Sequence, residues 1–332
     1  MSPLQFEQIL GQDQVLARLR EAQARRRLPH AYLFVGPEGV GRETVARAFF
    51  WRLLCVQEKA CGECPSCRKF LKGLHPDVEV LEPQGKSIKI EQIRALEAKL
   101  HFRPLEAERR LVLIPQAELL TREAANALLK SLEEPPPYTL FVLLAQTTEA
   151  LLPTIVSRCQ VVRFRPLPRE VVKRLLEERF ACLPPEAEGL SFLAEGSIGR
   201  ALRLAEKGFL QEMERVAATL KEGTPTRLVT LAEVLAGMKE NLPVFLELLL
   251  VWWRQALYAY LGLETYPVSL PEPPPQDFLV PAMEKVERLF GALERHLNAE
   301  ILFLATFSEL SRLWREALGQ ATEIATESAR TA

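Results

Sequence analysis

Four of the six cysteines lie close together in the sequence and could bind a metal ion: Cys55, Cys61, Cys64 and Cys67. Four thiolates at such short spacing can bind zinc in a tetrahedron, and four protein ligands leave no position for a reacting water, so the zinc would be structural. An iron–sulfur cluster and a redox-active thiol pair are alternatives, because ferredoxins share the spacing of the last three cysteines and CxxC pairs can form disulfides. His75 is a further candidate ligand, although it also fits a turn that leads into a strand.

A glycine-rich segment follows a predicted strand and precedes a predicted helix, which is the position of the phosphate-binding loop in nucleotide-binding proteins. Gly36, Gly39 and Gly41 stand where such a loop requires glycine. Arg42 and Glu43, however, replace the lysine that reaches the phosphates and the serine or threonine that holds magnesium. The segment is therefore either a weakened nucleotide site or a glycine-rich turn that serves packing.

The substitution at Glu43 disfavours ATP binding. A carboxylate about 4 Å from a phosphate charge costs about 4 kcal/mol at an effective dielectric constant of about 20. Arg42 offsets part of this repulsion. Thr44 could supply the missing hydroxyl group, but on a helix its side chain points about 100° away from that of Glu43. We therefore expect the affinity for ATP to be weak or absent.

The acidic residues of an ATPase are also missing after the predicted strand Leu111–Ile114. In a working site this strand is followed by an aspartate that holds the magnesium shell and a glutamate that orients the attacking water. Here it is followed by Pro115 and Gln116, which carry no charge, and Glu118 lies beyond the position of the catalytic pair. Two independent losses thus predict that this chain alone does not hydrolyse ATP.

The elements that position these residues follow from the apolar pattern. Residues 31–164 alternate short apolar runs with helical patterns, which predicts a parallel β-sheet with crossover helices. Two of these helices, Arg42–Leu54 and Glu91–Leu100, each carry an apolar face that can pack on such a sheet. The predicted strands are Ala31–Val35, Val78–Leu81, Leu111–Ile114, Leu140–Ala145 and Val161–Phe164.

Beyond residue 165 the pattern is helical. Glu170–Phe180 and Leu190–Glu206 are predicted to form a small second unit, and a third helical region begins near Leu210. A proline-rich loop at Tyr266–Pro281 interrupts this region, because proline cannot continue a helix. The 332 residues exceed what one hydrophobic core usually organises, so we expect more than one domain.

Composition and charge exclude several classes of protein. The chain is 48% hydrophobic and 26% charged, which is typical of a folded protein and not of a disordered one. Its 42 lysine and arginine residues nearly balance 43 aspartate and glutamate residues, so no overall basic field attracts nucleic acid. No secretion signal and no membrane-spanning run is evident, and we expect a cytoplasmic protein with no membrane contact.

A long motif brings these features together. The segment 119–136, LLTREAANALLKSLEEPP, is followed by a strand and by Ser157-Arg158-Cys159, and it resembles bacterial clamp-loader subunits of the AAA+ class. The resemblance covers about residues 5–205. It implies an α/β AAA+ P-loop-type domain with a parallel sheet and an inserted zinc knuckle, a small helical lid domain and an all-α C-terminal collar domain. The corresponding ranges are 1–165 with the knuckle at 55–67, 166–208 and 209–332.

Within this family the degraded loop and the retained arginine resemble the delta-prime type and not the gamma/tau motor. The resemblance implies that the chain completes a DNA polymerase III loader ring with gamma/tau and delta subunits. ATP would be bound and hydrolysed by neighbours, with Arg158 acting in trans as an arginine finger and Ser157 supporting its turn. The assembled complex would load the sliding clamp onto primed DNA during replication. The alternative for Arg158 is a pairing role at the sheet edge.

Other residues take roles from the same resemblance, each with a simpler alternative. Arg200 matches the family's second sensor, which points toward the chain's own nucleotide, or it clamps the lid to the sheet domain. Lys86, Lys89 and Arg94 surround the start of a helix that would line the path of duplex DNA, or they form a solvated charged face. Lys130 would contact a neighbouring subunit or link DNA to the ATP sites.

Two rival functions stay open from the sequence. One is an active gamma/tau-like ATPase motor in which Arg42 and Thr44 rescue the phosphate loop. The other is a zinc-stabilised scaffold with no role in ATP chemistry. In the C-terminal region the apolar runs Phe245–Trp253 and Ile301–Leu313 either pack against partner subunits or form the core of their own domain.

Overall fold

The computed structural model describes residues 4–331 except 264, 268–269 and 294–297, without the side chains of 240 and 320–331. The chain forms two compact units, Met1–Val172 with Gly196–Arg200, and Lys173–Glu195 with Ala201–Ala332. The predicted lid, residues 166–208, is divided between the two units. The division of the chain into three domains stays a prediction. Within the described residues, no helix has both the length and the apolar character to cross a membrane.

The first unit contains a five-stranded sheet in which all neighbouring strands are parallel, with the order β2-β3-β4-β1-β5. This confirms the predicted parallel sheet, and each strand lies within one residue of its predicted bounds. The strands are β1 Ala31–Val35, β2 Val78–Val80, β3 Arg110–Ile114, β4 Thr139–Ala145 and β5 Gln160–Arg163.

Helices connect the strands and continue through the second unit. The predicted helix Arg42–Leu54 is confirmed with both bounds, and the predicted Glu91–Leu100 begins one residue earlier. The helices are α1 Asp13–Ala24, α2 Arg42–Leu54, α3 Pro65–Leu71, α4 Ile90–Leu100, α5 Arg122–Glu133, α6 Pro153–Val156, α7 Arg169–Phe180, α8 Pro184–Leu193, α9 Ile198–Glu206, α10 Phe209–Glu222, α11 Pro225–Gly237, α12 Leu242–Tyr260, α13 Gln276–Leu293 and α14 Ala299–Thr331.

The central strands are buried on both faces of the sheet. Side chains alternate along a strand, so Tyr32 and Phe34 of β1 join one apolar cluster while Leu33 and Val35 join the other. The first cluster includes residues of α1 and α2, and the second includes residues of α4 and α5. This double burial explains why β1, β3 and β4 read as nearly continuous apolar runs.

The second unit is helical, and its core is aromatic. Phe245, Trp252 and Trp253 of α12 are fully buried, so this run forms the core of its own unit. The Trp253 ring lies edge-on to Phe278 with ring centroids 5.4 Å apart, and the Phe278 and Trp314 centroids are 4.8 Å apart. A role for these helices in contacts with other subunits stays a prediction.

Two helical bounds differ from the predictions. The predicted helical stretch Leu190–Glu206 is broken between α8 and α9, where Glu195 and Gly196 both adopt positive φ angles of 50° and 78°. The predicted loop Tyr266–Pro281 ends earlier, because α13 begins at Gln276 and includes Pro281. Pro281 is the sixth residue of α13, and because proline has no N–H the helix lacks one backbone hydrogen bond at this position.

A buried carboxylate anchors the loop that precedes β3. Asp77 is fully buried, and its Oδ1 accepts a hydrogen bond from the N–H of Leu105 at 2.7 Å. Its Oδ2 accepts from the N–H groups of Glu106 and Ala107 at 2.8 and 2.9 Å. Burial acts to raise the pKa of Asp77, but these three donors outweigh it and hold the pKa below its ordinary value of 3.8.

We expect Asp77→Asn to destabilise the first unit by about 3 kcal/mol at pH 7, since a charged acceptor of three hydrogen bonds is lost. Because the folded pKa is depressed, this carboxylate stabilises the fold above pH 4 or so and loses its effect as the pH falls through the folded pKa. Urea unfolding at pH 7 and at pH 3 measures both effects, and the difference between variant and wild type should shrink at the lower pH. Glu108→Gln, an exposed change in the same loop, is the control and should leave the urea midpoint unchanged at both pH values.

Candidate functional site

The glycine-rich segment connects the end of β1 to the start of α2, as a phosphate loop requires. Gly39 has a φ of +74°, and its carbonyl accepts a hydrogen bond from the N–H of Gly199 at 3.2 Å. A Cβ atom at Gly39 would lie 2.3 Å from Oγ of Ser197, so only glycine fits there. Ser197 also donates a hydrogen bond to the Glu38 carbonyl at 2.7 Å. The loop is thus tied to the turn before α9, a contact that the sequence did not reveal.

Arg42 does not point its charge freely into solvent. It is only 9% exposed, and among the described residues its buried Nη1 has no hydrogen-bond partner. Burial lowers the pKa of Arg42, and the carboxylates of Glu118 and Glu38 oppose that effect. At the position where a motor protein presents a lysine to phosphate, this chain therefore holds a largely buried arginine with Glu118 and Glu38 nearby.

Glu43 and Thr44 lie on the surface of α2. The Glu43 carboxylate accepts a hydrogen bond from Nε of Arg47 at 2.6 Å, an ion pair one helical turn apart. Both Glu43 and Thr44 line an open cavity of about 660 Å³ between α2, the end of α3 and β2. Arg47 therefore offsets part of the Glu43 charge, so the repulsion predicted from sequence is an upper value.

The Ser157-Arg158 motif lies immediately after α6, between β4 and β5. The Arg158 guanidinium has three acceptors: Nη1 donates to the Thr154 carbonyl at 2.9 Å and to Ser157 Oγ at 3.3 Å, and Nη2 contacts Glu133 Oε1 at 2.6 Å. Ser157 Oγ itself donates to the Thr154 carbonyl at 3.1 Å. Ser157 thus contacts the arginine side chain, and its supporting role stays a prediction, while the contacts with Glu133 and Thr154 were not anticipated.

The four predicted cysteine ligands come together in the knuckle between α2 and α3. Their Sγ atoms all lie within 4.8 Å of one another, and those of Cys61 and Cys67 are 3.8 Å apart. In a zinc tetrahedron with Zn–S distances of about 2.3 Å, the sulfurs are about 3.8 Å apart, so the cluster fits this ion. Backbone N–H groups of Cys61 and Cys67 donate to the sulfurs of Cys55 and Cys64 at 3.3 and 3.4 Å, as thiolates require.

The protonation chemistry of the cluster calls for a cation. Burial acts to raise the pKa of Cys55, but N–H groups of Cys61, Lys59 and Gln57 lower it to about 6. The pKa of Cys67 is raised to about 12 by burial and by the neighbouring sulfurs of Cys64 and Cys55. Four neighbouring thiolates repel one another, and a bound metal ion would supply the positive charge that offsets this repulsion.

His75 lies outside this cluster. Its Nε2 lies 2.8 Å from Ser66 Oγ, and its Nδ1 accepts a hydrogen bond from the N–H of Asp77 at 3.2 Å. Both ring nitrogens are thus occupied, so His75 belongs to the turn before β2 and is not a fifth ligand. This decides between the two interpretations of His75 given by the sequence.

The cations proposed to contact DNA or other subunits are on the surface. Lys86, Lys89, Arg94 and Lys130 are all exposed, and none of them has an acidic partner among the described residues. Lys89 precedes the first residue of α4, so its side chain lies at the start of this helix as predicted. Arg200 is in the first turn of α9, where its N–H donates to Ser197 Oγ at 3.0 Å. Their roles stay predictions.

A family model described as "DNA polymerase III, delta subunit" matches residues 11–168. The chain is 39% identical over 170 residues to DNA polymerase III subunit delta' of Bacillus subtilis strain 168, which covers 50% of this chain and 52% of that protein. It is 39% identical over 202 residues to subunit delta' of Pseudomonas aeruginosa PAO1, which covers 58% of this chain and 61% of that protein. The chain thus spans between half and two thirds of these relatives.

A relative with another subunit name has a lower identity. DNA polymerase III subunit tau of Escherichia coli K12 is 33% identical over 213 residues, covering 62% of this chain and 33% of that protein. The identity is thus higher for the two delta' relatives than for this tau relative.

We expect the purified chain to contain one divalent metal ion, and Cys64→Ser to lose most of it and to lower the thermal midpoint. A structural site of four thiolates contributes directly to folding, so loss of one ligand removes much of that contribution. Metal content by elemental analysis and melting with and without a chelator measure both effects. Cys182→Ser, outside the cluster, is the control, and equal metal loss in the two variants would contradict the site.

Proposed function

We propose that this chain, which is similar to DNA polymerase III delta' subunits, completes a clamp-loader ring and contributes to ATP hydrolysis only in trans. The partners would be motor subunits of the gamma/tau type and a delta-type subunit. The assembled complex would place the sliding clamp on primed DNA during replication.

The geometry of Arg158 is the observation that carries this proposal. The guanidinium is held at the surface by three acceptors of its own chain, with a third of the side chain exposed. Of its five N–H donors, three are directed to these acceptors, which leaves two for a ligand. A planar guanidinium that approaches the γ-phosphate of a neighbouring ATP stabilises the charge of the transition state.

The phosphate loop supports the proposal that the chain lacks its own ATPase. Arg42 is buried near Glu118 and Glu38, and uncharged Pro115 and Gln116 follow β3. Without an acidic pair, neither a magnesium ion nor an attacking water has its usual ligand. The loop and its link to Ser197 then serve to join the turn before α9 to the sheet.

The cysteine cluster would hold zinc through Cys55, Cys61, Cys64 and Cys67. With four protein ligands the ion is closed to water, so it stabilises the knuckle and takes no part in hydrolysis. Lys86, Lys89 and Arg94 would approach DNA phosphates within the assembled ring, because such contacts position a protein without reading sequence.

An active motor is the second candidate, since tau is also similar to this chain. In that case the isolated chain would bind ATP with magnesium and hydrolyse it. We expect neither: titration of the metal-loaded chain to millimolar ATP should show no saturable binding, because Glu43 replaces the residue that holds magnesium and no acidic pair follows β3. Tight ATP binding with turnover would favour the motor and contradict the proposal that the chain lacks an ATP site of its own.

Arg158→Ala should leave the fold and complex assembly intact and lower ATP turnover in the reconstituted loader. At the one ATP site that the arginine faces, the loss should be about 10³-fold or more. Steady-state turnover of the whole complex should then fall by the fraction of total ATP turnover that this one site contributes. Arg122→Ala, an exposed change at the first residue of α5, is the control. Unchanged turnover in the Arg158 variant would favour the scaffold without a role in ATP chemistry.

A further inference from the structure

Glu133 is the acidic partner of Arg158, and the family resemblance implies no role for it. It is the last residue of α5, and its Oε1 lies 2.6 Å from Nη2 of Arg158. A carboxylate at the C-terminal end of a helix is unfavourable, because the helix dipole places partial negative charge there. The local sequence therefore does not favour Glu133 at this position, and the contact with Arg158 gives it a function.

The pair also contributes little to the stability of the fold. The Arg158 side chain is 33% exposed and that of Glu133 is 48% exposed. Ion pairs with this much solvent contact are weak, because water screens the charges and two flexible side chains must be ordered. A structural explanation for the pair is thus poor, whereas the ordering of the arginine side chain has a clear use.

We propose that Glu133 is a positioning residue that keeps Arg158 ordered in the geometry of an arginine finger before the neighbouring ATP arrives. The proposal rests on the proposed function of Arg158 in trans. An arginine side chain loses much rotational freedom when it binds one ligand in one geometry. Glu133, Thr154 and Ser157 hold the guanidinium on one side, so this entropy is already lost in the free subunit.

The remaining donors fit this role. The three acceptors take two N–H groups of Nη1 and one of Nη2, and Nε has no recorded partner among the described residues. The free N–H groups on Nε and Nη2 can donate to phosphate oxygens while Glu133 stays in place. Preorganised donors of this kind lower the barrier without reorganisation during the reaction.

The test compares Glu133→Gln with Glu134→Gln. Both remove one negative charge at the end of α5, but Glu134 is exposed and has no ion pair among the described residues. Glutamine keeps the shape of the side chain and can still accept a hydrogen bond, so neither variant should change the thermal midpoint appreciably. Any difference between the two variants therefore reports on the contact with Arg158.

In the isolated chain, NMR of arginine side chains labelled with ¹⁵N should show an ordered Arg158 guanidinium in the wild type and in Glu134→Gln. In Glu133→Gln the same group should become mobile on the nanosecond timescale. Equal order of the guanidinium in all three proteins would overturn the positioning role, whatever the function of the chain.

In the reconstituted loader, the drop in ATP turnover caused by Arg158→Ala defines the part that depends on the finger. Glu133→Gln should remove most of that part, about tenfold at the site concerned, with an unchanged KM for ATP, while Glu134→Gln should not.

If Arg158→Ala lowers turnover and Glu133→Gln does not, the positioning role is wrong and the function stands. If Arg158→Ala itself has no effect, the proposed function fails first. A higher turnover in Glu133→Gln would also overturn the proposal, since the pair would then restrain the arginine from reacting.

Discussion

Burial of the central strands on both faces is the constraint on which the first unit depends. Because β1, β3 and β4 are covered by helices on either side, their polar and glycine-rich connections can only emerge at the ends of the strands. All strands run in the same direction, so the segments after β1, β3 and β4 leave the sheet on the same side, at the C-terminal ends of the strands. The phosphate-loop segment, the residues after β3 and the loop before α6 are therefore neighbours by topology.

Much of this arrangement could be predicted, because strands and cysteine ligands are recognised from the pattern of neighbouring residues in the sequence. The strands were found within one residue, since doubly buried strands are apolar runs between turn residues. The four cysteines were found from their spacing alone, and their sulfurs do lie within 4.8 Å. The break before α9 was missed, because Gly196 in an otherwise helical pattern does not reveal whether the chain turns there. The end of the loop at Pro281 was predicted wrongly, because α13 contains this proline at the loss of one backbone hydrogen bond.

The partners of the charged residues could not be predicted from the sequence. Glu133 and Arg158 are 25 positions apart, and only the packing of α5 beside α6 brings their side chains together. The contact of Ser197 with the phosphate loop joins residues even further apart in the chain. Such pairs depend on tertiary placement, so the only local signal was an acidic residue at a helix end where the dipole disfavours it.

The two arginines of the motifs differ in a way that makes hydrolysis in trans physically consistent. Arg42 is buried, and burial lowers its pKa while Glu118 and Glu38 oppose that effect, so a phosphate at this loop would meet carboxylates in a poorly solvated place. Arg158 has one carboxylate partner at the surface and keeps N–H donors available, so it can accept a phosphate without losing that partner. The same residue type is thus buried at one motif and held at the surface at the other. This difference supports the proposal that the chain contributes to ATP chemistry where another subunit brings the nucleotide to Arg158.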